Sequence, residues 1–138
     1  MEKSNREISR LIDIIIHCGY KVHRALAPGF LESVYQKALA IELAKAGLNF
    51  QCEAPISVKY DGQIVGEFRA DVFVENTIIV ELKASSETTK AHEAQLVNYL
   101  VATGVDHGLL INFGTDIYSP RHKFRVYSPS KTKISEQE

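Results

Sequence analysis

Phe68-Arg69-Ala70-Asp71-Val72-Phe73-Val74-Glu75-Asn76-Thr77-Ile78-Ile79-Val80-Glu81-Leu82-Lys83 is the stretch that decides how this chain folds. Two apolar, β-rich runs, Phe68–Val74 and Ile78–Lys83, flank the polar triplet Glu75-Asn76-Thr77, which suits a hairpin loop. Counting outward from that loop, Val74 faces Ile78, Phe73 faces Ile79 and Asp71 faces Glu81. Directly opposed residues of an antiparallel pair project to the same side of the sheet. The carboxylates of Asp71 and Glu81 are therefore expected side by side, with Lys83 two residues on. Like charges so placed destabilise a sheet, and a bound divalent cation relieves them. The pattern asks for a metal.

Alternation sorts the remaining side chains of the hairpin. Glu67, Arg69 and Asp71 share one face, and Phe68, Ala70, Val72 and Val74 share the other. Glu81 and Lys83 likewise oppose Val80 and Leu82. The apolar faces of both strands are expected on one helix, and the charged faces in one polar patch. The competing arrangement is a solvated charge lattice, with Arg69 diagonal to Glu81 and Asp71 diagonal to Lys83, which contributes little to stability.

Outward from the hairpin the chain divides into readable elements. Ser4 with Glu7 forms a capping box, and Ile8, Leu11, Ile12, Ile15, Gly19 and Val22 recur at helical spacing, which predicts a helix over Asn5–Leu26. Pro28-Gly29 breaks it, and a second helix is expected over Phe30–Ala46, stopped by Gly47. Ile56–Tyr60 reads as a strand, and Asp61-Gly62 is a hairpin signal leading into Ile64–Val74. After Lys83 come a helix over Lys90–Thr103, closed by Gly104, a short apolar strand Gly108–Phe113 and an edge strand Lys123–Tyr127. Residues 1–127 are expected to form a single domain. Ser128–Glu138, polar and carrying Pro129, is expected to be a disordered tail. The order α-α-β-β-β-α-β-β describes an α/β domain with a central mixed sheet of four to five strands flanked by helices.

Composition narrows the class. A chain of 138 residues suits one domain, and 45% hydrophobic content supports a real core. No apolar run approaches the ~20 residues that a membrane helix needs, and the first residues lack the apolar centre of a signal peptide. Cys18 and Cys52, the two cysteines, have neither metal-ligand spacing nor a disulfide framework, which fits a reducing cytoplasm. They are too few for a four-cysteine iron–sulfur cluster. A net charge of −1 does not announce nucleic-acid binding, so any basic surface has to be local. Lys21, Arg24, Arg121, His122, Lys123 and Arg125 could line such a surface, although solvated charge is the plainer reading of each. His17 and His23, six apart on a helix, face different directions. His92 is read as a surface or capping residue and Cys18 as a small core residue.

Two further polar groups flank the hairpin. Glu32 stands in the opening turn of the second helix, where the helix dipole favours an acid, and Tyr35 follows one turn on. Gln95 lies in the third helix, with His92 one turn before and Tyr99 one turn after.

Taken in order, Gly29-x-x-Glu32-x-x-Tyr35, Asp71, Glu81-x-Lys83 and Gln95-x-x-x-Tyr99 resemble the motifs of the PD-(D/E)XK nuclease superfamily. More narrowly, the chain is similar to the GxxExxY family of small bacterial and archaeal proteins. The resemblance runs from about Ile12 to Tyr127; Arg69-Ala70, not proline, precedes Asp71. It implies a restriction-endonuclease-like core. It also implies that Asp71 and Glu81, with the carbonyl of Leu82, bind Mg²⁺ or Mn²⁺, and that Glu32 adds an acid directly or through water. Hard cations prefer such oxygen ligands, and Mg²⁺ keeps several waters of its own. Lys83 would orient the attacking water and stabilise developing phosphorane charge. A free-base role suits it less, because acids beside it favour its charged form. Gln95 would hydrogen-bond near Lys83 or the scissile phosphate, with Tyr35 and Tyr99 supporting.

The reaction so implied is metal-assisted hydrolysis of a phosphodiester in nucleic acid, DNA before RNA, in the cytoplasm. A homodimer would complete a full groove. The alternatives are a non-catalytic module that binds nucleic acid or protein on the same fold, and a hydrolase of another phosphate ester.

Overall fold

The computed structural model describes residues 2–125. The expected edge-strand end at Tyr127 and the tail 128–138 lie outside them. Eight elements follow one another: α1 (Asn5–Leu26), α2 (Glu32–Lys45), β1 (Phe50–Tyr60), β2 (Gln63–Val74), β3 (Ile78–Lys83), α3 (Lys90–Thr103), β4 (His107–Asn112) and β5 (Arg121–Phe124). The strands form one mixed sheet in the order β1-β2-β3-β4-β5, parallel between β3 and β4 and antiparallel elsewhere. This is the α/β architecture that the element order predicts.

Local chemistry explains the helix limits. Glu7 N donates to Ser4 Oγ at 3.1 Å and Ser4 N to Glu7 Oε1 at 2.8 Å, which satisfies two otherwise orphaned donors at the start of α1. Thr89 and His92 make the equivalent reciprocal pair at the start of α3, so His92 is a capping residue. Helix α2 begins at Glu32, later than expected, because Phe30 and Leu31 belong to the turn. Tyr35 fixes that turn: its hydroxyl donates to Ala27 O at 2.6 Å and accepts from Phe30 N at 3.1 Å. The Tyr35 ring, fully buried, stacks on Phe113 at 4.8 Å.

Strand β1 starts at Phe50, six residues before the expected start at Ile56. Cys52-Glu53-Ala54-Pro55 does not read as strand, yet β1 is an edge strand, where proline forfeits no ladder bond. At Glu53 the backbone takes a left-handed φ of 55°. Alternation breaks there: Phe50 and Cys52 lie with the core under α1 and α2, whereas Ala54 and Ile56 lie with the core under α3. The partner strand follows. Val72 and Val74 join the first core and Ala70 the second, while Phe68 sits against Tyr99. The expectation that one helix covers the whole apolar face of β2 is therefore corrected; the sheet changes sides at Asp71.

The first core joins Leu11, Ile15 and Val22 of α1 and Leu39 and Leu43 of α2 to Val72, Val80, Leu82 and Ile111. The second joins Leu96, Tyr99 and Leu100 of α3 to Ile79 and Leu110. Strands β3 and β4 are thus covered on both faces, and each buried aliphatic side chain contributes about 1.5–3 kcal/mol. The loop leaving β3 is tied to the end of β4. Asn112, buried, accepts from Ser85 N at 3.1 Å and Gly114 N at 2.9 Å and donates to Thr88 Oγ1 at 3.1 Å. Gly114 passes so close that a Cβ there would overlap the Ser85 carbonyl oxygen.

Candidate functional site

Hairpin pairing between β2 and β3 runs Val74↔Ile78, Phe73↔Ile79, Val72↔Val80 and then stops. The register is the one read from sequence, but the next rung, Asp71 opposite Glu81, is not closed by backbone. Side chains close it instead. Asp71 N donates to Glu81 Oε2 at 2.9 Å, and Leu82 N donates to Asp71 Oδ2 at 2.7 Å. Beyond this rung β2 leaves β3 and continues with β1 as a two-stranded arm. The two acids sit in the fork.

The fork is not the open polar patch that alternation suggests, because α3 covers it. Glu81 is only 4% exposed and Asp71 is half-buried. Burial and the neighbouring Asp71 charge push the Glu81 carboxyl up to about 8, opposed by the Asp71 N–H and by Lys83. Burial also raises Asp71; Glu32 and Glu53 add to the rise, and the Leu82 N–H and Lys83 work against it. The competing charge lattice does not form: among the described residues no ion pair joins Arg69 to Glu81 or Asp71 to Lys83. Arg69 makes a long contact, 3.4 Å, to Glu53 O.

Lys83 Nζ instead donates to Gln95 Oε1 at 3.2 Å, which brings α3 to the end of β3. Tyr99, one turn beyond Gln95, is buried, and its hydroxyl proton is held more tightly by burial and by the charges of Glu81 and Asp71. Glu32 is exposed on the first turn of α2, near enough for its charge to act on both acids of the fork. Tyr35 faces away from the acids and organises the turn that starts α2.

Gln36 and Glu53 belong to this neighbourhood and are not picked out by the sequence reading. Gln36 Nε2 donates to Glu53 Oε2 and to the Asp71 carbonyl, both at 2.8 Å. The signal for Gln36 was its place four residues after Glu32, on the same helix face. Glu53 offered none, since it stands in the segment that does not read as strand.

The basic residues considered for a phosphate-tracking surface are mostly engaged. Arg121 and Lys123 pair with Glu93 at 2.6 and 2.7 Å, Arg125 with Asp106 at 2.7 Å and Lys21 with Glu42 at 3.8 Å. Arg24 donates to Tyr20 Oη at 3.2 Å.

The donor chemistry of the fork fits a hard divalent cation. Asp71 and Glu81 each spend one carboxylate oxygen on a backbone N–H, and their raised proton affinity marks negative charge that the protein leaves poorly compensated. Among the described residues no three His, Cys, Asp or Glu side chains gather as a ready cage. The fit is therefore to an ion that takes few protein oxygens and keeps water, as Mg²⁺ does.

Comparison with known proteins agrees with this geometry. A family model described as the PD-(D/E)XK nuclease superfamily matches residues 9–125. Among solved structures, one described as "Crystal structure of SSO0001" shares the fold, with 19% identity and a TM-score of 0.55 over 75% of this chain and 55% of that one. The chain thus spans about half the length of that protein. No curated protein matches. With its fold, its forked acid pair and a family match over most of its length, the chain belongs to the PD-(D/E)XK nuclease superfamily.

Proposed function

We propose that this protein is a metal-dependent nuclease that hydrolyses phosphodiester bonds of DNA, with RNA the second candidate substrate. The observation that carries the reading is the closed rung of the fork, in which the buried Glu81 and half-buried Asp71 carboxylates interlock through Asp71 N and Leu82 N. Nucleases of this superfamily generally use divalent metals. Asp71, Glu81 and the Leu82 carbonyl would hold Mg²⁺ or Mn²⁺, with Glu32 as an added acid from α2. When bound, the ion neutralises the acid pair and polarises the phosphate ester.

The chain's own groups do the rest. Lys83, held by Gln95 at 3.2 Å, is aimed as a fixed cation at charge developing on the phosphate. Its hydrogen bond to a neutral amide suits a positioning role better than proton abstraction. Gln95 orients Lys83, Tyr99 seals the α3 side of the fork, and Tyr35 sets the turn from which Glu32 projects. Gly29, Glu32 and Tyr35 support the narrower GxxExxY assignment. On this reading residues 1–127 work as one nuclease domain in the cytoplasm, and a second copy would extend the groove.

Radiolabelled or fluorescent DNA and RNA of varied structure, with Mg²⁺ or Mn²⁺, provide the test. Cleavage should appear with metal and vanish with chelator, and Glu81→Gln and Lys83→Ala should each lower it by about 10²–10⁴-fold. Full activity in both variants would overturn the site. Tight, metal-independent binding with no cleavage would favour the non-catalytic module.

A further inference from the structure

Between α3 and the outer half of the β1–β2 arm lies a cleft of about 1060 Å³, large for a small-ligand site. Phe68, Tyr99, Gln95, Asn98, Ala94 and Lys59 line it. The Phe68 ring lies 5.6 Å from Tyr99, tilted by 38°, yet Phe68 remains 46% exposed. A ring so placed leaves a π-face free for a further planar group. Alanines of α3 keep the opposite wall low. Asn98, exposed, offers both a donor and an acceptor, the pair of functions on the edge of a nucleobase.

Charge separates the candidate occupants. Among the described residues no acid lines this cleft, although the chain as a whole carries net charge −1, and Lys59 is the charged residue they place on its rim. An apolar partner protein, or a second copy, would strip water from Lys59, Gln95 and Asn98 without repaying them. A nucleotide uses Lys59 and Asn98, the base on Phe68 and Asn98 and the phosphate on Lys59, and leaves Gln95 its bond to Lys83. The cleft is also continuous with the acid fork, because the Gln95 that lines it is the residue that accepts from Lys83 Nζ.

We propose that this cleft receives an unpaired nucleobase of the strand bound at the fork, so that the protein selects single-stranded or frayed nucleic acid over intact duplex. The inference rests on the nuclease reading for the position of the backbone. A base held in a Watson–Crick pair cannot reach the Phe68 ring without leaving its stack. Stacking on an aromatic platform tolerates any base, so the selection is for strandedness before sequence.

The test uses the full chain carrying Glu81→Gln, so that binding is read without cleavage, and oligonucleotides of DNA and of RNA containing 2-aminopurine. A single-stranded probe should change its fluorescence on binding, whereas the same base inside a duplex should not. Phe68→Ala and Asn98→Ala should each weaken single-strand affinity, Phe68→Ala by about 10-fold, and leave duplex affinity unchanged. Asn98 is exposed, so its variant keeps the test decisive should Phe68→Ala fail to fold. An unresponsive single-stranded probe, or both variants binding it as tightly as the parent, would overturn the proposal. So would a dimer in sedimentation that Phe68→Ala dissociates, because a second copy would then own the cleft. Absence of cleavage by the unsubstituted protein, with the fluorescence response intact, would instead count against the nuclease reading alone.

Discussion

Glu81 and Glu93 are the same residue type in opposite surroundings, and the contrast isolates what is unusual about the fork. Glu93, on the first turn of α3, meets Lys123 and Arg121 at 2.7 and 2.6 Å, and the Lys123 hydrogen bond leads the effects that hold its carboxyl below the usual range. Glu81, under the same helix, has no cation paired to it among the described residues, and burial pushes its carboxyl far up. The nearest lysine, Lys83, is turned to the neutral Gln95. The chain does not lack cations to spend on acids; among the described residues none is ion-paired at the fork, where Lys83 acts on both acids only from its place beside Gln95. A site meant for a metal ion has that character, since a lysine bonded there would be the ion's competitor.

The contrast predicts opposite responses to pH, largest at the fork. An acid whose folded pKa is raised binds more protons folded than unfolded, so its contribution is lost as pH rises from the unfolded value near 4.5 through about 8. Metal-free protein should therefore lose melting temperature between pH 5 and 8 by an amount equivalent to at most a few kcal/mol, and Glu81→Gln should flatten that slope. Added Mg²⁺ should restore stability chiefly at the alkaline end, where both acids are ionised. Thermal melts with and without metal, across that range, measure all three. A flat profile for the unsubstituted chain would erase the distinction between the two glutamates.

A smaller effect is expected at Gln36, the neutral donor that serves the fork from α2. Gln36→Ala removes its hydrogen bonds to Glu53 and the Asp71 carbonyl, and should cost about 1–2 kcal/mol in urea unfolding. Gln36→Lys would sharpen the comparison, because a cation so close should also weaken Mg²⁺ binding measured by calorimetry. Smallest is Glu93→Gln, expected to cost ~1 kcal/mol or less and to be masked by salt, as for other partly exposed ion pairs. Since its pKa is depressed, the Glu93 contribution should fade as pH falls, the reverse of the fork.

Much of the fold was legible because its signals are local. The Ser4/Glu7 capping box, the α1 stripe and the Gly104 stop lie within a turn or two of the residues they govern. The β2–β3 register followed from loop length alone, and with it the meeting of Asp71 and Glu81. What escaped was long-range or irregular. Alternation assumes an unbroken strand, and Glu53, with its left-handed backbone, sends the two halves of the arm to different cores. The covering of Glu81 by α3 depends on a helix that follows it in sequence and returns across the sheet. The motif resemblance left Gln95 beside either Lys83 or the scissile phosphate, and folding joins it to Lys83 Nζ at 3.2 Å.

Glu53 also has a mechanical meaning. Asp71 is carried by the arm, whereas Glu81 is built into the part of the sheet that helices clamp on both sides. The two carboxylates thus belong to differently supported parts of the fold, joined by the hydrogen bonds of Asp71 N to Glu81 and Leu82 N to Asp71, with the irregular Glu53 beside that junction. Ala54, Ile56 and Ala70 seat that arm on Leu96 and Leu100 of α3, so the helix that covers Glu81 also anchors the strand that carries Asp71.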